Sequence, residues 1–341
     1  MKLFLFVSAL FLSFEPISHA VIIAEDTSSS MGDFARNRLL AEDYSIQAIG
    51  LYQCALQSLD HGEAVVNLRQ AIAASTQGLV AEATGSHPLL VDETWASLVA
   101  LQVSSYYQLA RRVVDSDEVI ANLRQALAVS TAALSAHAAR THALVPRYEV
   151  ILVTLQAKSH YLLAIQGVEA VANLRRAIAA STTALAFRHG EASVLSARKQ
   201  EELIVLQSNA CYELAQQGVE AVVNLRQALA ASTAILKNYA ARTHPLTPAN
   251  WARLVTIQAM SYYQLASRGF DVVVNLSQAL AVSTAALNIH AAGIHFLTHP
   301  YETRLLTLQS DSRRRLEGLT GEKTTSLLED EVKPAATYLT M

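Results

Sequence analysis

Apolar residues in this chain recur at the spacing of a helix face. In one representative segment, Ala221, Leu225, Ala228, Ser232 and Ile235 fall within a narrow arc when successive residues are placed about 100° apart. The strict alternation of apolar and polar residues that marks a half-buried strand is absent. The pattern predicts an all-α fold built from amphipathic helices.

The same helical block recurs five times along the chain. Each copy contains Asn-Leu-Arg-Gln-Ala or a close variant, at intervals of 55, 51, 51 and 51 residues. A Ser-Thr pair follows each Asn, and a Tyr preceded by a Gln stands upstream. The Asn positions are Asn67, Asn122, Asn173, Asn224 and Asn275, and the Gln positions are Gln47, Gln102, Gln156, Gln207 and Gln258. Gln309 begins a sixth, incomplete copy. We therefore expect five units and a closing half-unit.

Helix ends are marked within each unit. Gly167, Gly218 and Gly269 stand where a left-handed residue would end one helix. The acidic residue two positions after each glycine is expected in the first turn of the next helix, where the helix dipole favours negative charge. Thr247 and Pro248 are typical of an N-cap and a first helical position. Each unit thus reads as helix A, a tight turn and helix B. Stacked hairpins of this kind predict an α-solenoid, a right-handed superhelix of five antiparallel pairs plus a C-terminal capping helix.

The units resemble the tetratricopeptide repeats, and especially their longer-period relatives. The spacing of Tyr212, Ala221, Leu225 and Ala228 is similar to the family's pattern across the turn between its two helices. The resemblance covers about residues 40–318, with a period longer than the family's usual one of about 34. It implies an interaction scaffold that holds a peptide or helix in a concave groove lined by helix A.

The N-terminus has the features of a secretory signal. Lys2 precedes an apolar run from Leu3 to Phe14, which at about 12 residues is too short to span a bilayer as an uncleaved anchor. Small residues at Ser18 and Ala20 predict cleavage after Ala20. We therefore expect an exported protein, periplasmic or secreted.

The remaining boundaries follow from where the repeat starts and stops. The signal peptide is expected over residues 1–20 and a flexible linker over 21–32. The solenoid then spans 33–318. Beyond it the apolar pattern dissolves, and residues 319–341 are expected to form a disordered tail.

Composition narrows the possible partners and crosslinks. The formal charge of -3 gives no broad basic field, so nucleic acid is not expected as a partner. Hydrophobic residues make up 52% of the chain but aromatic residues only 6%, as suits close packing of small side chains. Cys54 and Cys211 fall three units apart, too far for a disulfide, and are expected to be small buried hydrophobes.

Local catalytic and metal motifs are missing from the sequence. It has no Gly-rich phosphate loop, zinc-binding helix or nucleophile elbow, so we expect no enzyme activity, cofactor or metal. His87, His142, His244 and His299 recur in the connections between units. Spread one per unit, they are expected to pack or cap turns and not to share a metal.

The recurring Gln and Asn residues form two polar rows along the array, and these rows are the candidate site. Carboxamides can donate to and accept from a peptide backbone, so Gln102, Gln156, Gln207 and Gln258 form a candidate peptide-binding ladder. The alternative, that these amides bond to neighbouring units and fix their stacking, stays open. For the Asn row, Asn67, Asn122, Asn173, Asn224 and Asn275, a structural role is favoured. Exposed arginines at Arg69, Arg124, Arg175 and Arg226 form a basic stripe that could select an acidic partner.

These features predict a non-catalytic, exported scaffold that binds a protein or peptide in its concave groove, with no nucleic acid partner and no stable membrane insertion after signal cleavage. Two alternatives stay open. One is a bacterial effector that acts on host proteins and uses its charged C-terminus for delivery. The other is an enzyme whose site is assembled across repeats.

Overall fold

The protein is helical throughout the part of the chain that the structure describes. The computed structural model describes residues 29–83, 92–187, 195–240 and 246–320, which form eleven α-helices and no strand. The helices are α1 (Ser29–Gln57), α2 (His61–Ala83), α3 (Asp92–Arg112), α4 (Ser116–Ala138), α5 (Pro146–Ile165), α6 (Ala170–Ala186), α7 (Ala197–Gln216), α8 (Ala221–Ala240), α9 (Pro248–Ser267), α10 (Val272–Ala291) and α11 (His299–Thr320). Odd-numbered helices are the A helices of successive units and even-numbered helices are the B helices. The predicted all-α fold is confirmed.

The described array is slightly longer than the predicted solenoid. It begins at Ser29 and ends at Thr320, whereas the sequence placed its limits at residues 33–318. Leu319 and Thr320 therefore belong to the last helix and not to the tail. The signal peptide over 1–20 and the rest of the tail lie outside the described residues and stay predictions.

Neighbouring helices pack on one another in chain order. Each helix contacts the next, and each A helix also contacts the A helix of the following unit. No comparable interface joins successive B helices within the described ranges. The chain is therefore a serial array, as in helical repeat proteins, and its A helices form one continuous layer.

The glycine turns within units form as the sequence indicates. Gly167 has φ +78°, its N–H donates to the Ala164 carbonyl at 2.9 Å, and the next N–H, of Val168, donates to the Leu163 carbonyl at 3.0 Å. This is a Schellman motif, which a left-handed glycine allows without steric cost. Glu169 is the N-cap of α6, also left-handed at φ +40°, so the acidic residue precedes the first turn that the sequence assigned to it.

The repeated motif supplies the buried core of each unit. The Leu after each motif Asn is buried, at Leu68, Leu123, Leu174, Leu225 and Leu276. The Ser of each Ser-Thr pair is also fully buried, and Ser232 Oγ donates to the Ala228 carbonyl of the preceding turn at 2.8 Å. Small hydroxyl side chains that satisfy themselves locally let adjacent helices approach closely.

Helix α10 is apolar enough to resemble a membrane span. Among the helices in the described ranges, it is the one whose length and composition would allow it to cross a bilayer. In this structure 61% of its apolar 18-residue stretch is buried, because the helix packs between α9 and α11. Its hydrophobicity is accounted for by burial on several sides within the array.

Candidate functional site

The Gln row forms hydrogen bonds between units. In each unit after the first, the Gln Nε2 of the A helix donates to a Thr Oγ1 on the B helix of the preceding unit. The pairs are Gln102–Thr76 (2.7 Å), Gln156–Thr131 (3.0 Å), Gln207–Thr182 (2.9 Å), Gln258–Thr233 (2.9 Å) and Gln309–Thr284 (2.8 Å). Gln47, in the first unit, is exposed. This arrangement supports the stacking alternative, and peptide binding by the Gln ladder stays a prediction.

We expect the Gln207–Thr182 bond to contribute about 0.5–1.5 kcal/mol to stability, as a typical intramolecular hydrogen bond does. A double-mutant cycle of Gln207→Ala and Thr182→Ala, followed by urea unfolding, should give a coupling energy in that range. Gln47→Ala is the matched control, because this Gln is exposed and the described residues place no B helix before it, and its effect should stay within about 0.5 kcal/mol. A coupling energy of zero would contradict the stacking role.

The Asn row closes turns inside units. Asn173 Nδ2 donates to the Val168 carbonyl at 2.8 Å, and the same bond recurs in the next two units, from Asn224 and Asn275, at 2.7 Å each. The first two units carry three additional residues in the turn. There Asn122 is buried, and its Nδ2 has no hydrogen-bond partner among the described residues. The bond thus depends on the short glycine turn.

The basic stripe lies on B helices and connects successive units. Arg69 Nη2 lies 2.7 Å from Glu118 Oε1 of the next B helix, and Arg175 lies 3.6 Å from Glu220 in the same relation. Both pairs are largely exposed, so each contributes little to stability. Selection of an acidic partner by this stripe stays a prediction.

Histidines in the connections pack against tryptophans. His142 stacks on Trp95 with ring centroids 4.4 Å apart, and His295 stacks on Trp251 at 4.6 Å. The sequence reasoning named His142 but missed His295, which repeats the same Trp-to-His stack three helix pairs later. His87 and His244 lie outside the described residues. His299 is the first residue of α11.

The two cysteines have opposite environments. Cys211 is buried, and burial raises the pKa of its thiol to about 11. Cys54 is exposed, so the expectation that both are buried is wrong for this residue. Cys54 stands seven positions after Gln47, where later A helices carry a Leu such as Leu109, which packs towards the preceding unit. Within the described residues no B helix precedes the first unit, and Cys54 is exposed there.

A cleft of about 490 Å³ opens on the A-helix layer. Its polar lining comes from Arg111 of α3, Lys158 of α5, Arg198, Glu202 and Asn209 of α7, and Asn250 and Arg253 of α9. Tyr107, Tyr161 and several aliphatic side chains supply the rest. Its size falls within the range of ligand-binding clefts, and it is built by four successive A helices.

Basic groups dominate the cleft although the chain as a whole is slightly acidic. Four basic side chains face one carboxylate, that of Glu202. Lys158 Nζ lies 2.6 Å from Glu202 Oε2, and Arg198 Nε lies 3.6 Å from Glu202 Oε1. Arg111 and Arg253 have no ion-pair partner among the residues that the structure describes. The cleft therefore carries a local positive excess within a chain of net charge -3.

The Tyr161 hydroxyl is held in its neutral form. Burial, assisted by Glu213, raises the pKa of Tyr161 to about 12, against the opposing charge of Arg253. Arg253 belongs to the second A helix after that of Tyr161, so residues two units apart interact across the cleft. At neutral pH the Tyr161 hydroxyl stays a hydrogen-bond donor.

A buried carboxylate fixes one wall of the cleft. Glu201 is only 2% exposed, and its Oε1 accepts hydrogen bonds from Asn250 Nδ2 at 2.7 Å and from the Thr247 N–H at 3.2 Å. The Thr247 side chain in turn caps α9, as predicted. Glu201 thereby holds the start of α9 and the Asn250 side chain against α7.

No protein-family model, curated protein or solved structure matches this chain. The tetratricopeptide resemblance therefore rests on the residue pattern and on the serial packing of the helices. What the cleft does has to be inferred from its own residues.

The charged cleft residues escaped the sequence reasoning because they occupy positions that differ from unit to unit. Two positions after the recurring Gln, successive units carry Ser104, Lys158, Asn209 and Met260. The residues that recur in every unit form the contacts that stack the units. The sequence signal for the cleft is variation in charge from unit to unit at A-helix positions near the recurring Gln.

Proposed function

We propose that this chain is a non-catalytic binding protein that holds a peptide segment of a partner protein in the A-helix cleft. The observation that carries the proposal is the cleft itself, formed by four successive A helices and lined with polar groups that take no part in the Gln–Thr bonds between units. A site that spans several units suits an elongated ligand better than a compact one.

The packing favours a curved array with helix A on the inside. Successive A helices contact one another whereas successive B helices lack a comparable interface, as expected if the B helices diverge on an outer surface. We propose on this basis, and from the tetratricopeptide resemblance, a right-handed superhelix of five antiparallel pairs closed by α11. The proposal includes export, on the strength of residues 1–20.

The dimensions fit an extended peptide. Four A helices at interaxial distances of roughly 9 Å extend over about 27 Å. An extended chain advances about 3.3 Å per residue, so the cleft would hold roughly 8 residues. Cation and phenol groups along its walls would bind the peptide by charge and hydrogen bonding, with no chemical step.

Selection from a displayed library of random peptides of about 12 residues tests this function, since the cleft should hold roughly 8 of them. We expect the folded protein to enrich a peptide family that binds the wild type and not Asn209→Trp, which fills the middle of the cleft. Lys199→Trp is the matched control, because it adds the same ring to an exposed position of α7 outside the cleft lining.

Circular dichroism melting should show that both tryptophan variants remain folded. Failure of the folded wild type to enrich any peptide would overturn the proposed function. Equal binding of the selected peptides to Asn209→Trp and to the wild type would move the binding site away from the cleft.

A further inference from the structure

We propose that the segment held in the cleft is acidic, an extended stretch of a partner protein in which Asp or Glu side chains recur. This inference rests on the proposed function and adds the chemistry of the ligand. It follows from the sign and placement of the cleft charges, which are opposite to the net charge of the chain.

The two walls of the cleft carry cations that the described part of the protein does not neutralise. On the α3 side, the Arg111 guanidinium lies over the Tyr107 ring at 5.9 Å, and Arg111 is exposed. On the α9 side, Arg253 Nε donates to Tyr301 Oη at 3.2 Å, which leaves the remaining N–H groups of its guanidinium available for a carboxylate. An acidic side chain at either wall would gain a charge-assisted hydrogen bond.

The centre of the cleft also keeps a positive excess. Glu202 is shared by Lys158 and Arg198, so this group of three carries one net positive charge. A carboxylate of a bound segment can approach Arg198, whose side chain is 75% exposed, without displacing Glu202 from Lys158. Field lines concentrate in concave, partly dehydrated surfaces, so several cations in one cleft attract an anion more strongly than the same charges spread over a flat face.

The basic row continues beyond the cleft along the A-helix layer. Arg304 of α11 stands at the position of Arg253 in the next unit, five residues before the recurring Gln. It acts on Tyr212, two units earlier, as Arg253 acts on Tyr161. A ligand longer than the cleft would therefore meet Arg304 on leaving it, close to the carboxyl group of Glu213.

A peptide fits this surface better than a nucleic acid. Single-stranded nucleic acids bind through basic grooves in which aromatic faces are free to stack on bases. Tyr107 is buried, and Arg111 lies over its ring.

The test repeats the selection with charge-reversed proteins, using random peptides of about 12 residues fused at their C-termini so that no free terminal carboxylate is offered. The cleft variant is Arg111→Glu combined with Arg253→Glu. The matched control is Arg124→Glu combined with Arg226→Glu, which changes the net charge equally at exposed positions on B helices. Melting curves of both double variants establish that they fold.

We expect the wild type and the control variant to enrich Asp and Glu, and the cleft variant to lose that enrichment. The affinity of the best acidic peptide should fall about tenfold or more in the cleft variant, as expected when several weak ion pairs become repulsions. A peptide with Asn and Gln in place of Asp and Glu should bind the wild type with an affinity lowered by a similar factor.

Two results would overturn this inference and leave the proposed function standing. One is that the enriched peptides carry no excess of Asp and Glu. The other is that the cleft variant and the control variant lose the same amount of binding to these peptides. Failure to enrich any peptide would overturn the proposed function itself. Tighter binding of a labelled single-stranded oligonucleotide than of the acidic peptide would overturn the choice of ligand class.

Comparing acidic-peptide binding by the full chain and by a chain that ends at Thr320 shows whether the acidic segment comes from a partner or from this chain. Residues 321–341 include Glu329, Asp330 and Glu331, which have the chemistry that the cleft favours. Binding of the acidic peptide to the full chain and to the shortened chain alike supports an external partner. Binding that requires removal of residues 321–341 would assign the cleft to the chain's own tail and overturn the external partner.

Discussion

Replacing Trp251 with alanine is expected to lower the free energy of unfolding by about 4 kcal/mol, in the range measured for large aromatic residues removed from cores. Trp251 is 1% exposed and belongs to the largest apolar cluster of the described residues. That cluster takes side chains from five helices, α7 to α11, and Trp251 also stacks on His295. Its removal leaves a cavity at the junction of three units, which rigid helices cannot collapse to fill.

Urea unfolding followed by far-ultraviolet circular dichroism measures this effect. Trp251→Phe keeps a ring against His295 and should lose less than half as much stability. Val274→Ala is the control, since this side chain of α10 is exposed and its removal should change stability by less than about 0.5 kcal/mol. A loss in Trp251→Ala no larger than that in Val274→Ala would show that the cluster does not hold the units together.

Removing α11 is expected to lower the melting temperature by about 10 °C or more and to cause aggregation. Leu305 and Leu316 of this helix are fully buried against the preceding pair, and Gln309 bonds to Thr284 of α10. A chain ending at Thr298 would expose the apolar surface that they cover. Stacked repeats are stabilised by their neighbours, so the loss should spread into the last complete pair.

The comparison is between chains ending at Thr298 and at Thr320, which differ by α11 alone. Size-exclusion chromatography and thermal melting should show a monodisperse longer chain and an aggregating shorter one. Equal elution and equal melting of the two would rule out a capping role for α11.

The two ends of the described array differ in polarity. On α11, Ser310, Arg313 and Glu317 are exposed on the side where a further B helix would pack, together with Leu306, which is 48% exposed. On α1, Ile46 is 70% exposed, although its counterparts Leu206 and Ile257 are 7% and 5% exposed against the preceding B helix. Both described ends thus expose a large apolar side chain, and the one on α11 lies among polar residues.

Repeated and unrepeated positions have different roles along each A helix. The recurring Gln binds the preceding unit, and the recurring Tyr is partly or fully buried, with Tyr107 and Tyr161 in the lining of the cleft. Charged residues such as Lys158 and Arg253 occur at positions that vary from unit to unit. Since stacking demands the same residue everywhere and a ligand does not, the variable positions are where ligand selectivity should be sought.

The sequence by itself determined the helical class, the number of repeats, the glycine turns and the Thr247–Pro248 helix start. These features depend on interactions within a few residues, namely the periodicity of apolar positions, the sign of φ and the first unpaired N–H groups of a helix. A single chain with internal repeats displays them several times, which made the pattern readable.

Only the tertiary structure decided the partners of the Gln amides, the exposure of Cys54 and the composition of the cleft. Each depends on which surface of one unit meets the next. The cleft draws Arg111, Lys158, Arg198 and Arg253 together from four A helices about 50 residues apart in sequence. Their convergence is set by how each A helix packs on the next, which depends on side-chain packing between units and is not encoded in the length of the repeat.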